Sequence, residues 1–330
     1  MNPFSLRARF GAALIACAAS GCSGSSVHVP PVTGGPAVAY TAIGASDAVG
    51  YGASVPCANP PTVANPTCPG GTGYVPVLAG LLAKAGARVT LDDLGISGAV
   101  LGPDILALGN MYDTAGSAAP CLPRTGNDAI PGDFITDELP SVGANATLVT
   151  VFAGGNDTNA IVNALGCGAG GTTTASQEAF IGTWIANFGN DFKQLLLGIR
   201  AQAPAAKIIV ANLPNFALIP IGQKQSVAAQ AALAAVSVGI DQNVINLVAG
   251  APYNLPVVDL LCNPTSYLAS NFFTDGFHPN DAGYAALASL YYAQDTAATP
   301  APPLASCVQS TTAARLRQAL TSPIEPFEKH

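Results

Sequence analysis

Apolar positions along this chain follow two patterns. Short, nearly continuous apolar runs predict buried parallel strands, and longer segments with apolar residues every three or four positions predict helices. The predicted strands are residues 37–44, 88–94, 147–153, 207–212 and 257–262. The predicted helices are residues 74–87, 176–200, an alanine-rich 227–248, and a last helix opened by Asn280 or Asp281. This alternation predicts an α/β fold in which one domain is built on a doubly wound parallel sheet.

Three predicted strands end in turns that contain glycine. The turns are Gly44–Asp47, Gly95–Gly98 and Gly154–Asp157. Ligands gather at the carboxyl ends of parallel strands, so these turns are candidate parts of one site. Ser46 is the candidate nucleophile in the first turn, and the alternative is that its hydroxyl caps the next helix.

Histidine is the side chain best suited to act as a general base near neutral pH. Of three histidines, His28 lies in a predicted tether and His330 is the last residue, so His278 is the candidate base. Asp275, three residues earlier, is placed to accept the Nδ1 proton of His278. The alternative is that Asp275 caps a turn and His278 fills a polar gap.

A serine nucleophile with a histidine base is typical of acyl transfer. An acyl-transfer site also needs hydrogen-bond donors for the oxyanion that forms during the reaction. The backbone N–H groups of Ser46 and Gly98 and the amide of Asn156 are candidate donors, because each follows a predicted strand. The alternatives are a plain turn glycine at Gly98 and an Asx-turn at Asn156.

Together these segments resemble the SGNH-hydrolase family, also called GDSL esterases and lipases, from roughly Val38 to Ala293. The resemblance lies in four blocks in the family order, Gly44–Asp47, Gly95–Gly98, Gly154–Asp157 and Asp275–His278. It implies a three-layer α/β/α sandwich around a mainly five-stranded parallel sheet, of flavodoxin-like type. Ala45 and Asp47 depart from the family pattern, which usually has aspartate and leucine there, and neither departure removes a catalytic atom.

The resemblance also implies roles for individual residues. By that likeness Ser46 is the nucleophile, His278 the base and Asp275 its orienting acid, with Ser46, Gly98 and Asn156 forming the oxyanion hole. The expected activity is ester hydrolysis through an acyl-enzyme, with a small-molecule or lipid ester as substrate. The alternatives are a carbohydrate acetylesterase and an inert surface protein that binds glycan or lipid.

Two other nucleotide- or ester-binding motifs fit the sequence less well. The α/β-hydrolase elbow reads Gly-x-Ser-x-Gly, whereas Ala48 occupies its last position here. Residues 166–171 match Gly-x-Gly-x-x-Gly, but they follow a helical stretch and open no βαβ unit. We therefore predict a loop there and no dinucleotide cofactor.

The first residues indicate export. Arg7 and Arg9 precede an apolar run at 10–19 that is too short to span a bilayer but is typical of a signal peptide. Residues 19–22 resemble a lipobox, which makes Cys22 the candidate lipidation site; cleavage after residues 16–18 is the alternative. The expected organisation is a leader at 1–22, a tether at 23–36, a catalytic domain at 37–293 and an extension at 294–330.

Export changes the interpretation of the eight cysteines. Cys17 and Cys22 belong to the leader, and an even number remains for disulfides in the exported chain. Sequential pairing is the simplest prediction, with one bond in a proline-rich loop and one that ties the extension to the domain. The six cysteines are Cys57, Cys68, Cys121, Cys167, Cys262 and Cys307. No pair has the spacing typical of a zinc site, so we expect no metal.

The charge balance excludes one class of partner. The chain has 12 basic and 19 acidic residues and a formal net charge of −7. Nucleic-acid binding depends on basic surfaces, so we expect none here. We expect a monomer whose contact with membranes is limited to a lipid anchor. The expected location is the periplasm or outer membrane, or the cell surface; the alternative is a freely secreted protein.

Overall fold

A computed structural model describes residues 34–57, 68, 70–112, 121–123, 126 and 129–311. At its centre lies a parallel sheet of five strands in the order β2-β1-β3-β4-β5. The strands are β1 (Ala37–Gly44), β2 (Arg88–Asp93), β3 (Leu148–Phe152), β4 (Lys207–Ala211) and β5 (Val257–Val258). The predicted fold class is therefore confirmed.

The last strand is much shorter than the sequence predicts. The apolar run at 257–262 predicts six strand residues, but β5 ends at Val258. Beyond Val258, polar side chains accept the hydrogen bonds of the backbone N–H groups. The side-chain oxygen of Asn212 accepts the N–H groups of Leu260 (2.6 Å) and Leu261 (3.1 Å), and Asp259 accepts that of Cys262 (3.1 Å). These bonds replace a strand ladder, so the chain leaves the sheet.

Six α-helices flank the sheet in the described part of the chain. They are α1 (Tyr74–Lys84), α2 (Pro103–Tyr112), α3 (Gly155–Gly166), α4 (Thr174–Gln202), α5 (Val227–Asn243) and α6 (Asp281–Thr296). Short 3-10 turns lie at Leu139–Ser141, Gly222–Lys224, Ile245–Ala249, Pro264–Tyr267 and Ala269–Asn271. The sequence pattern did not predict α2, and it indicated α3 only as a helical stretch before residue 166, without bounds.

The helix ends show why boundaries are hard to predict. The capping box of α4 is formed by Thr173 and Ser176, not by Thr174 and Gln177 as the spacing suggests. The alanine-rich helix ends at Asn243, because Val244 leaves the helical conformation (φ −132°, ψ −70°) and a 3-10 turn follows. Asn280 caps α6 by accepting the N–H groups of Ala282 and Gly283.

Two buried apolar clusters lie on the two faces of the sheet. One joins β1 with α1 and α6 through Tyr40, Tyr74, Leu78, Tyr284 and Tyr291. The other joins the sheet with α2, α3, α4 and α5. The result is a sandwich of three layers. In the described residues, the helical stretch Val227–Ala249 is long and apolar enough to cross a membrane, but 78% of its apolar window is buried, so it packs as a core helix.

Three disulfides join the six cysteines in the order in which they follow one another. They are Cys57–Cys68, Cys121–Cys167 and Cys262–Cys307. The last ties the segment after α6 to the residues that follow β5, where Leu304 N–H also donates to Asp259 (2.9 Å). The predicted domain boundary at 293 falls inside α6. The predicted leader with Cys22, most of the tether, and the end of the predicted extension lie outside the described residues.

Candidate active site

The carboxyl ends of β1 and β3 bring two predicted turns together. Gly44 pairs in register with Phe152, so the turns that follow each strand are neighbours. Ser46 lies two residues beyond Gly44 and is 5% exposed. The N–H of Ile96, after β2, donates to the Gly44 carbonyl (3.1 Å), which brings the third turn beside the other two. All three turns therefore meet at one edge of the sheet, as their placement predicts.

A line of hydrogen bonds joins Ser46, His278 and Asp275. The distance from His278 Nε2 to Ser46 Oγ is 2.8 Å, and that from His278 Nδ1 to Asp275 Oδ2 is 2.6 Å. Because the Asp275 carboxylate accepts a hydrogen bond from the Nδ1–H of His278, the unprotonated Nε2 is left to accept one from the Ser46 hydroxyl. The structure thus brings together the three residues that the sequence singles out.

The charge on Asp275 is supported by its own loop. Its Oδ1 accepts the backbone N–H groups of Phe277 (2.9 Å) and His278 (3.0 Å). Burial alone would raise the pKa of Asp275, but the hydrogen bonds from His278 and Phe277 outweigh it and hold the pKa below 3.8. Asp275 is therefore ionised at neutral pH.

Gly276 allows this loop to close. Its φ is +70°, and a Cβ there would lie 3.0 Å from the backbone nitrogen of Ile221, so a side chain would be both strained and crowded. The N–H of Phe273 donates to the His278 carbonyl (2.8 Å) across the loop. The spacing Asp-x-x-His thus places the carboxylate and the imidazole side by side.

A hydrogen bond joins Asn156 to the residue that follows Gly98. Asn156 opens α3, and its amide donates to the carbonyl of Ala99 (2.8 Å). Gly98, with φ +89°, directly precedes Ala99. Ala99, Asn156 and Ser46 all line the same pocket, whereas Gly98 is not among its lining residues. An asparagine amide carries two donor hydrogens, and the bond to Ala99 uses one of them.

The pocket beside Ser46 is mostly apolar. Phe216 and Phe277, which meet edge to face at 5.4 Å between ring centroids, form part of its wall. Other apolar lining residues include Phe134, Phe152, Leu213, Ile219, Leu260, Phe272, Leu287 and Leu290. Such a wall suits an aliphatic or aromatic group better than a charged one.

Residues 42–286 match the family model described as the GDSL-like Lipase/Acylhydrolase family. The chain belongs to this family. The match covers all four sequence blocks up to α6, so the hydrolase assignment and the fold rest on the same stretch of chain.

The solved structures that the chain matches include three hydrolases. An extracellular lipase from Streptomyces rimosus is 18% identical, with a TM-score of 0.48 over 79% of this chain and 100% of that chain. A phospholipase A1 from Streptomyces albidoflavus is 17% identical (TM-score 0.45; 79% and 99% covered). An acetylxylan esterase from Geobacillus stearothermophilus is 17% identical (0.45; 81% and 98%). No curated protein matches the sequence. At these identities the comparison says nothing about substrate.

Tyr51 is a residue of this hydrolase that sequence reasoning missed. Its ring lies 4.6 Å from the imidazole of His278, centroid to centroid, and 6.2 Å from the ring of Phe273. Tyr51 is 49% exposed, so its ring packs against the imidazole from the protein surface. Its only signal in the sequence is an aromatic residue five positions after the serine, in a segment that predicts no regular element.

A carboxylate of α6 holds the loop that carries Tyr51. Asp281 accepts the N–H (2.7 Å) and hydroxyl (2.6 Å) of Ser54 and the hydroxyl of Thr72 (2.7 Å). These bonds lower the pKa of Asp281 below 3.8, and the bond from the Ser54 hydroxyl contributes most. The disulfide Cys57–Cys68 closes the same loop.

Two buried acids behind the Ser46 turn were also missed. Glu138 accepts the N–H of Gly44 (3.0 Å), and Asp93 accepts that of Gly95 (3.1 Å). Burial raises the pKa of Asp93 to about 7 and that of Glu138 well above its usual 4.5. The sequence pattern does not indicate them, because the contact of Glu138 joins residues that are 94 positions apart in the chain.

A metal centre is not apparent among the described residues. No group of three or more histidine, cysteine, aspartate or glutamate side chains there is arranged to hold an ion. The segment 166–171 ends α3 and does not line the pocket beside Ser46.

Proposed function

We propose that this hydrolase is a serine esterase that cleaves acyl esters through a covalent acyl-enzyme. The observation that carries the proposal is the line of hydrogen bonds from Asp275 through His278 to the Ser46 hydroxyl, which opens onto an apolar pocket. A serine hydroxyl is a weak nucleophile until an adjacent base takes its proton, and this geometry supplies that base.

The proposed reaction uses one imidazole twice. Ser46 Oγ attacks the ester carbonyl while His278 Nε2 takes the hydroxyl proton, and the same proton then goes to the leaving alcohol. Water then attacks the acyl-enzyme while His278 Nε2 takes its proton. That proton returns to Ser46 Oγ as the carboxylic acid leaves. Asp275 keeps the proton on Nδ1 throughout and stabilises the imidazolium, because its carboxylate is ionised.

The oxyanion would be held by three donors. We assign the backbone N–H groups of Ser46 and Gly98 and the second amide hydrogen of Asn156. The bond from Asn156 to the Ala99 carbonyl supports this, because it fixes the amide beside the turn that carries Gly98. Donors fixed before the reaction cost no reorganisation when charge develops, and each is worth about 2.7–4 kcal/mol by deletion.

The apolar pocket favours aliphatic acyl esters, including lipid esters, as substrates. Acetyl esters of carbohydrate are the runner-up, and an inert glycan- or lipid-binding protein is the alternative outside catalysis. Three disulfides support an exported protein, because such bonds persist in oxidising compartments. Lipid attachment at Cys22 and a monomeric state remain part of the proposal.

Turnover of a chain-length series of p-nitrophenyl esters, run beside acetylated xylan, tests this function. We expect the Ser46→Ala variant to lose turnover and the wild type to prefer acyl chains longer than acetyl. Ser289→Ala is the matched control, since its exposed hydroxyl bonds within α6. Activity confined to acetyl esters would favour the runner-up, and full activity in Ser46→Ala would reject the mechanism.

A further inference from the structure

We propose that Glu138 is a positioning residue for the nucleophile. As a neutral carboxylic acid it holds the backbone at Gly44 and, together with Asp93, ties the Ser46 turn to the turn that carries Gly98. The inference rests on the proposed function, since it assumes that Ser46 is the nucleophile. Glu138 itself touches no substrate.

The first observation is where the Glu138 side chain comes from. Glu138 is the last residue of a π-helical turn, Phe134–Glu138, and single π turns recur at functional sites. This turn is anchored to the segment after Gly98, because Phe134 N–H donates to the Val100 carbonyl (3.0 Å) and Val100 N–H to the Gly132 carbonyl (3.2 Å). One short segment therefore contacts both the Gly98 turn and the end of β1.

The second observation is how firmly Gly44 is held. Its N–H donates to Glu138 Oε2 (3.0 Å), and its carbonyl accepts from Ile96 N–H (3.1 Å). Gly44 also has little free space, because a Cβ there would lie 3.0 Å from the Ala48 side chain and 3.3 Å from the Phe152 carbonyl. Ser46 is only two residues further on, so a shift of Gly44 would move Oγ relative to His278.

The third observation is a matched pair of unused oxygens. Glu138 Oε2 accepts the Gly44 N–H and Asp93 Oδ1 accepts the Gly95 N–H, and the N–H of Ile96 also lies near enough to Glu138 to lower its pKa. The other oxygen of each acid, Oε1 of Glu138 and Oδ2 of Asp93, is buried and makes no hydrogen bond. Glu138 and Asp93 are 1% and 4% exposed. Burying an oxygen atom that makes no hydrogen bond costs folding free energy. A proton on Glu138 Oε1 would turn this oxygen from an unused acceptor into a hydrogen-bond donor.

The charges around this pair favour the neutral form. Asp93 and Asp137 are the charged groups that face Glu138, and Tyr40 and Tyr74 face Asp93. None of these neighbours is a cation. A negative charge on Glu138 would be stabilised by backbone N–H groups alone, and Glu138 is bonded to the segment that leads to the proposed oxyanion donor at Ser46.

The test compares two substitutions of Glu138. Glu138→Gln keeps an acceptor for Gly44 N–H and adds a donor, as a protonated acid does, whereas Glu138→Met keeps the length and removes both. The readouts are kcat and KM for a p-nitrophenyl ester and the rate of Ser46 labelling by a fluorophosphonate. Glu178→Gln is the control, because it makes the same exchange at an exposed position on α4.

We expect the fluorophosphonate to label Glu138→Gln within about threefold of the wild-type rate and Glu138→Met about 10- to 100-fold more slowly, because small displacements of reacting atoms lower rates by about this factor. The KM for the p-nitrophenyl ester should stay unchanged in both variants. The ratio of kcat in Glu138→Gln to kcat in the wild type should rise with pH, as the wild-type acid ionises. If Glu138→Met does not fold, this pH dependence decides.

Three outcomes would overturn the inference. They are a folded Glu138→Met variant with the wild-type rate, a Glu138→Gln variant as slow as Glu138→Met, and a kcat ratio that does not change with pH. Failure of the wild type itself to label would instead reject the proposed function, so the two failures are distinguishable.

Discussion

Two sets of carboxyl groups act on Ser46 from different directions. On the imidazole side, Asp275 contacts His278, accepts three hydrogen bonds and has a lowered pKa. On the backbone side, Glu138 and Asp93 accept the N–H groups of Gly44 and Gly95, are buried, and have raised pKa values. The number of donors and the degree of burial, not the residue type, decide which carboxyl is ionised.

This difference matches what each side must do. Positive charge develops on His278 during the proposed reaction, so an ionised partner stabilises it. Negative charge develops near the Ser46 and Gly98 turns, so an ionised acid behind them would oppose catalysis. The predictions below test the two sides in order of expected effect.

The largest effect should come from the imidazole side. Asp275→Asn leaves the size of the side chain unchanged but favours the wrong tautomer of His278, so kcat for a p-nitrophenyl ester should fall by about 10⁴-fold. Asp281→Asn is the control, because Asp281 also has a lowered pKa but bonds to Ser54 and Thr72. A loss below about tenfold in Asp275→Asn would remove its assigned role.

Removing the Asn156 amide should have the next largest effect. Asn156→Ala should lower kcat by about 10²- to 10³-fold with a smaller change in KM, because the donor is used mainly in the transition state. Steady-state kinetics measure the split. Asn243→Ala, whose exposed amide bonds within α5, is the control. Unchanged kcat in Asn156→Ala would show that oxyanion stabilisation does not involve this amide.

The backbone side should dominate the pH dependence of stability. Burial raises the folded-state pKa of Asp93 from 3.8 to about 7. It does the same for Asp157, a buried acid next to Asn156 that accepts the N–H of Leu101 (2.9 Å). The native state therefore binds more protons than the unfolded state between these pH values. The free energy of unfolding should therefore fall as pH rises from about 4 to about 7, by up to about 1.4 kcal/mol per pH unit for each group. The lowered pKa of Asp275 acts the other way and costs stability only as pH falls below 3.8.

Urea unfolding at several pH values measures this dependence. In Asp93→Asn, the free energy of unfolding should fall less steeply with pH, by up to about 1.4 kcal/mol per pH unit, because one titrating group is removed. In Asp275→Asn, this slope should stay unchanged above about pH 5. A wild-type stability that rises between pH 5 and 7 would contradict the assignment of protonated acids behind the Ser46 turn.

The smallest effect should come from the ring that packs against the imidazole. Tyr51→Leu removes an aromatic face 4.6 Å from His278, so the imidazolium formed during the reaction loses a cation–π contact. At an exposed site this contact is worth about 0.5–1 kcal/mol, which predicts a two- to fivefold lower kcat. Tyr51→Phe keeps the face and should match the wild type; equal losses in both variants would argue against a role for the ring.

The parts that the sequence predicts are those with a local signal. Strands such as β3 are recognisable because a strand covered on both faces is apolar throughout, and the glycine turns after β1, β2 and β3 locate the site. The start of α3 is hidden because its first turn is the polar turn that carries Asn156. Glu138 is hidden because its role depends on a contact between distant segments, and no pattern around it encodes that contact.

Mass-spectrometric mapping of a fluorophosphonate adduct tests the central claim most directly. The wild-type protein should carry one adduct, on the peptide that contains Ser46, and the His278→Ala variant should label far more slowly. An adduct on another residue, or undiminished labelling in Ser46→Ala, would contradict the proposed nucleophile and the mechanism built on it.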